Sequence, residues 1–279
     1  MFHGRTLLIA TNHGKEKALA PLLEKELGVK CILPPSDFNS DQFGTFTGEV
    51  ERKNDPLTTL RQKCTAAQNL CKIDLGVATE GSFGAHPSMP FTPANDELII
   101  LIDLKNNLEI VARELSLQTN YNKLPVTSSK DLREFAIRAG FPNHRLILSY
   151  ENNKKREFIK NIDNPVKLFR SYLRIAEKHS SIMVETDMRA MSNPTRMEVI
   201  GNAARNLIKK IKSCCPECGR PGFDTSKFIT GLPCRLCGKP TRSVLSIELA
   251  CKGCNHTEIQ EYPDSRSYED PMYCDHCNP

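Results

Sequence analysis

The chain has 279 residues, 39% of them hydrophobic, and a formal charge of +5, which suits one large domain or a medium domain plus a small one. No apolar run approaches the roughly 20 residues that span a bilayer, and MFHGRTLLIATNHGKEK lacks the long apolar centre of a signal peptide. These features argue against membrane and secreted classes, and a cytoplasmic location is expected.

Residues 5–10 (RTLLIA) read as a buried strand, TNHG as a turn, and Lys15 to Leu27 as a helix with Leu19, Leu22 and Leu23 on one face. Leu57, Leu60, Cys64, Ala67 and Cys71 recur at helical spacing, which makes Cys64 and Cys71 core residues. LGVATEGSFG predicts a strand running into a glycine-containing turn, and ELIILIDL with LEIVAREL a hairpin around Lys105-Asn106-Asn107. Helical patterns follow at about 130–139 and 164–178, with the strand-like RLILSY and a solvated surface segment at 151–161 between them. After the strand SIMVE, Asn193 is a good N-cap and Pro194 suits the first helical position, where a missing N–H costs nothing. Met197, Ile200, Ala204, Leu207 and Ile211 then form the stripe of a helix ending near Lys212. The alternation predicts an α/β domain over residues 1–212, a mixed sheet with flanking helices.

Charged residues gather in VETDMRAMSNPTRM, between that last strand and helix. Arg196 in the first turn opposes the helix dipole by a few tenths to about 1 kcal/mol. It makes sense there if an anion joins it, because helix N-terminal amides and a guanidinium together suit phosphate. The alternative is a local salt bridge to Glu185 or Asp187. Those two carboxylates, just past a strand end, also suit a hard divalent cation. Two other places carry matching chemistry: ATNHGKEK, which sets Asn12, Lys15 and Lys17 at a sheet edge without being a P-loop, and ATEGSFG, with Glu80 at a strand end.

Taken in order, Thr11-Asn12-His13-Gly14-Lys15, the segment FGTFTGEVERKNDPLTTLRQKCTAA with Lys63, Glu80, and Asp187 with Arg196 resemble, distantly, the inosine/xanthosine triphosphate pyrophosphatases. That resemblance implies a nucleoside triphosphate pyrophosphatase-like fold and Mg²⁺-dependent hydrolysis of a nucleoside triphosphate to monophosphate and pyrophosphate. It implies that Asn12, Lys15, Lys63 and Arg196 grip phosphates, while Glu80 with Asp187 or Glu185 holds the metal and orients water. The chain departs from the pattern at Thr58, where the best-known members carry an acid. Viewed whole, it resembles an uncharacterised bacterial family that adds a C-terminal double zinc ribbon. The alternative to an enzyme is a non-catalytic adaptor that binds a nucleotide or a nucleic-acid end and recruits a partner through its zinc ribbons.

The small second domain, 213–279, holds nine of the twelve cysteines. Cys215/Cys218, Cys234/Cys237, Cys251/Cys254 and Cys274/Cys277 are four CxxC pairs, which match two tetrahedral, structural Zn²⁺ sites because each CxxC turn presents two sulfurs to one metal. The 13-residue gap between Cys237 and Cys251 suits a ribbon hairpin, so a nested arrangement is expected, second pair with third and first with fourth. Sequential pairing is the main rival and crossed pairing the third option. Cys214 falls outside the register as a spare thiol. Residues 213–279 carry seven Lys/Arg and nine Asp/Glu, net −2, leaving +7 for residues 1–212. Two Zn²⁺ and eight thiolates would bring the tail to about −6, the wrong sign for phosphate contacts. Protein contacts fit the tail better than nucleic acid does.

Overall fold

The computed structural model describes residues 1–153 and 155–279, in two compact units, Met1–Ile208 and Lys209–Pro279. Strand β1 (Thr6–Ile9) leads into helix α1 (Glu16–Leu27), which ends where Gly28 adopts the left-handed conformation and its N–H closes on the Glu24 carbonyl. Strand β2 (Lys30–Ile32) follows. Helix α2 (Pro56–Cys71) starts where the Asp55 carboxylate accepts the amides of Leu57 and Thr58, with Pro56 in the first turn. Strands β3 (Leu75–His86), β4 (Met89–Asp103) and β5 (Leu108–Ser116) complete a five-stranded sheet of order β2-β1-β3-β4-β5. It is a mixed sheet, parallel across β2-β1-β3 and antiparallel across β3-β4-β5.

One side of this sheet is sealed by α2: Leu60, Cys64 and Ala67 pack on Leu8, Ala78 and Ile100, with Cys71 against the same cluster. Fully burying a side chain such as Leu60 or Ile100 stabilises by about 1.5–3 kcal/mol. The remaining elements of the first unit are β6 (Lys123–Val126), α3 (Ser129–Ala139), β7 (Leu146–Asn152), β8 (Lys155–Ile162), α4 (Pro165–Ala176), β9 (Ile182–Thr186) and α5 (Pro194–Lys212). Their strands form an antiparallel sheet of order β6-β9-β7-β8, packed with α3 and α4 through Leu132, Phe135, Leu148, Leu168, Ile175 and Val184.

One local expectation changes and another gains structure. ATEGSFG is no turn, because β3 runs straight through it to His86 and Glu80 stands in mid-strand. Gly81 is required for a different reason: a Cβ there would overlap the Arg196 guanidinium and the Glu97 carboxylate. The segment 151–161 is exposed or half-buried at every described residue, as a solvated stretch should be, but it is regular rather than irregular, being largely the β7–β8 hairpin, in which Tyr150 pairs with Glu157 and Asn152 with Lys155; its residue Lys154 lies outside the described residues.

The second unit carries a three-stranded antiparallel sheet, β10 (Asp224–Thr230), β11 (Val244–Ala250) and β12 (Thr257–Glu261), in that order. Among the described residues no helix is long and apolar enough to cross a membrane.

Candidate functional site

Strand β1 ends at Ile9, opposite Val77, so the edge of β3 beyond that point has no β1 neighbour. A cavity of about 340 Å³ opens here. Side chains alternate along a strand, so Glu80 and Ser82 share the face of Ala78 and α2, whereas Thr79, Gly81 and Phe83 share the opposite one. On the α2 face Glu80 is gripped by Lys63 and by Arg52, whose Nη2 donates at 2.6 Å. On the opposite face Glu97, across the ladder from Gly81, is fully buried and accepts from Arg196 at 3.2 Å. Lys15 Nζ lies 3.6 Å from Glu97 and donates to the Thr79 hydroxyl at 2.6 Å and carbonyl at 3.0 Å.

Arg196 stands at the first turn of α5, where its amide bonds the Asn193 side chain at 3.0 Å, the N-cap contact its sequence predicts. Its Nη1 donates to the Met188 carbonyl at 2.6 Å, and the guanidinium lies 5.0 Å from the centre of the Phe83 ring. Six basic side chains line this one cavity: Lys15, Arg52, Lys63, Lys160, Arg189 and Arg196. The carboxylates in its lining are Asp41 and Glu80, with Glu97 behind.

The electrostatics follow from burial and crowding. Desolvation, with Arg196 and Lys63 close by, pushes the Lys15 ammonium down to about 7 despite Glu97 and Glu80. Burial opposes ionisation of Glu80, yet Lys63, Lys15 and Arg52 hold its carboxyl below the usual range. Glu97 is likewise held low against its own burial by Arg196 and Lys15. The hydrogen bond from His13 at 2.7 Å lowers Asp41.

Of the cleft residues singled out from sequence, Lys15, Lys63, Glu80 and Arg196 meet at this cavity and four others, Asn12, Lys17, Glu185 and Asp187, do not. Asn12 turns its amide to the Phe38 carbonyl and is absent from the lining. Glu185 on β9 pairs with Lys123 of β6 at 3.1 Å. Asp187 is consumed by Arg189, which it holds through Nε at 2.9 Å and Nη2 at 2.6 Å. Arg189, which the sequence left without a role, therefore reaches the cavity as a basic side chain that Asp187 positions. Lys17 lies outside the lining.

Magnesium was expected on Glu80 with Asp187 or Glu185, and these donors do not converge on one point. Glu80 is saturated by two cations, and among the described residues no three His, Cys, Asp or Glu donors in the cleft cluster at metal-holding distance. The donor set does not fit the ion. Sequence reasoning also missed Glu97, Arg52, Lys160 and three rings on the cavity wall. Phe46 meets Phe83 edge-on at 5.6 Å and Tyr121 edge-on at 6.3 Å, with Phe83 and Tyr121 5.8 Å apart. The one sequence signal for Glu97 is indirect: a glycine opposite it in a strand marks close approach.

The second unit holds two tetracysteine groups, Cys215, Cys218, Cys251 and Cys254, and Cys234, Cys237, Cys274 and Cys277. Cross-pair sulfur separations are 3.6 Å in the first and 3.8 Å in the second, matching the roughly 3.8 Å edge of a tetrahedron with 2.3 Å Zn–S bonds. Each group is arranged to hold one metal ion, as a structural zinc site requires. The turns repeat one design, with Gly219, Gly238 and Asn255 in the left-handed conformation after the second cysteine. Backbone amides of Cys254 and Gly253 draw the Cys251 thiol down to about 6. Cys214 is exposed and outside both groups.

The pairing is crossed, first with third and second with fourth, and corrects the nested expectation. The gap between Cys237 and Cys251 contains all of β11, and seven extended residues span roughly 23 Å. The third CxxC is thereby carried to the far end of the sheet, where Ala250 lies opposite Asp224 and the first CxxC waits. Strand β12 runs back toward the second CxxC, where the fourth arrives.

No curated protein matches the chain. Residues 63–279, beginning at the cleft lysine Lys63 and running through the last cysteine pair, match the family described as Domain of unknown function (DUF6671), and the chain belongs to that family.

Proposed function

We propose that the cleft of the first unit binds the phosphate groups of a nucleotide, and that the chain is a nucleotide-binding adaptor rather than a magnesium-dependent hydrolase. The observation that carries this reading is the convergence of six basic side chains on one cavity where Glu80 and Glu97 are already engaged by cations. Partly desolvated Lys and Arg around a concave site favour polyanions, with charge-assisted hydrogen bonds to phosphate oxygens. The resemblance to inosine/xanthosine triphosphate pyrophosphatases belongs to this proposal, supported by the meeting of Lys15, Lys63, Glu80 and Arg196 at one place.

Calorimetric titration of the zinc-loaded protein with inorganic tripolyphosphate and with a panel of nucleoside triphosphates tests the reading. Expected are saturable binding that weakens with salt and at least a tenfold loss in Lys63→Met. Absence of binding would sink it, and Mg²⁺-dependent release of pyrophosphate from any of the panel would restore the hydrolase.

For the second unit we propose contact with a protein partner. Phe228, Leu236 and Ile259 are exposed there, and the formal charge of residues 213–279 is negative. Phe228→Asp with Ile259→Asp should abolish crosslinking to a cellular protein while leaving anion affinity unchanged; crosslinking that survives would remove the assignment.

A further inference from the structure

We infer that Phe46, Phe83 and Tyr121 form the seat of an aromatic base, so that the ligand is a nucleoside polyphosphate stacked at one end of the cleft and held through its phosphates at the other. This rests on the phosphate-binding reading and adds the recognition of the ring. The three side chains come from three separate stretches: the loop before α2, the outer half of β3 and the approach to β6. All three line the cavity and all three are half-buried. None belongs to the core clusters beneath α2 or around α3 and α4, so packing of those cores does not account for them.

Their mutual geometry also suits a platform. Phe46 stands edge-on to both neighbours, at 90° to Phe83 and 81° to Tyr121, so in each pair one ring keeps both of its faces free of the other and its partner keeps one. Phe83 links the two ends of the cleft. It follows Gly81 at the next position on the same strand face, and the Arg196 guanidinium lies 5.0 Å from its centre. The cation that would meet phosphate is thus in contact with the ring that would meet the base. Stacking on aromatic side chains is tolerant of base identity and strong enough to dominate selection between a nucleotide and a bare polyphosphate.

The experiment compares adenosine triphosphate with inorganic tripolyphosphate by calorimetry on the full zinc-loaded chain, without added magnesium. The wild-type protein should bind adenosine triphosphate at least tenfold more tightly. Phe46→Ala and, separately, Tyr121→Leu should shrink that advantage below threefold while leaving tripolyphosphate affinity within twofold, and the retained tripolyphosphate binding shows that the variant is folded. Equal affinity for the two ligands in the wild type overturns the base seat and leaves the phosphate reading standing. An advantage that persists undiminished in both variants also overturns it. If neither ligand binds, the phosphate reading fails and this inference falls with it.

Discussion

Glu97 is the residue whose replacement separates the structural from the ligand-facing role of the cleft. It is fully buried, touches Arg196 through three contacts of 3.2–3.3 Å and faces Lys15 at 3.6 Å. In Glu97→Gln two cations would face one another without their shared anion. Removing one member of a buried ion pair costs about 3–5 kcal/mol. Lys15, already pushed down to about 7, can relieve part of that by releasing its proton, so the expected loss is near the lower end, about 3 kcal/mol. That is a large share of the roughly 5–15 kcal/mol that holds a domain together. Urea unfolding followed at the far-ultraviolet helix band isolates the effect, because all five α-helices begin in the first unit. The same variant should bind tripolyphosphate about tenfold more tightly, a gain of about 1.4 kcal/mol, because the incoming anion takes the place of the lost carboxylate. Stability and affinity then move in opposite directions, whereas Arg196→Met should lower both. A Glu97→Gln variant that loses less than about 1 kcal/mol, or binds tripolyphosphate more weakly than wild type, would refute the assignment of Glu97 as internal counter-ion of a phosphate site.

Anion affinity should fall as the pH rises through about 7, where Lys15 loses its proton, and Lys15→Met should flatten the profile measured by titration at a series of pH values. The stability effect has the opposite sign: the folded-state value lies below the ordinary 10.5, so the unfolded chain binds more protons and the urea midpoint should rise between about pH 7 and pH 10.5. Gly81→Ala should cost about 1–3 kcal/mol by forcing apart Arg196 and Glu97, while Gly84→Ala, with nothing within 4 Å of the added methyl, should be near neutral; equal unfolding midpoints for the two would contradict the packing described. Zinc content by mass spectrometry should drop from two equivalents to one in Cys218→Ser/Cys254→Ser and to none in Cys218→Ser/Cys277→Ser. A nested arrangement would give one equivalent in the second double variant.

What the sequence determined by itself is local. The helical spacing from Leu57 to Cys71, the Asn193-Pro194 start of α5 and the CxxC turns depend on residues within a few positions of one another, and each stands where its pattern puts it. The meeting of Lys15, Lys63, Glu80 and Arg196 was legible only as similar chemistry at strand ends and helix starts. The tertiary structure decided which charges neutralise one another. Arg196 takes Glu97, almost a hundred residues away, rather than Glu185 or Asp187 nearby, because the register of β4 on β3 sets Glu97 opposite a glycine that leaves room for a guanidinium. Asp187 turns to Arg189, Glu185 to Lys123, and the expected metal site dissolves into ion pairs. Strand length, not cysteine spacing, chose the crossed pairing of the tetrads: a seven-residue strand between two CxxC turns sends them to opposite ends of the sheet.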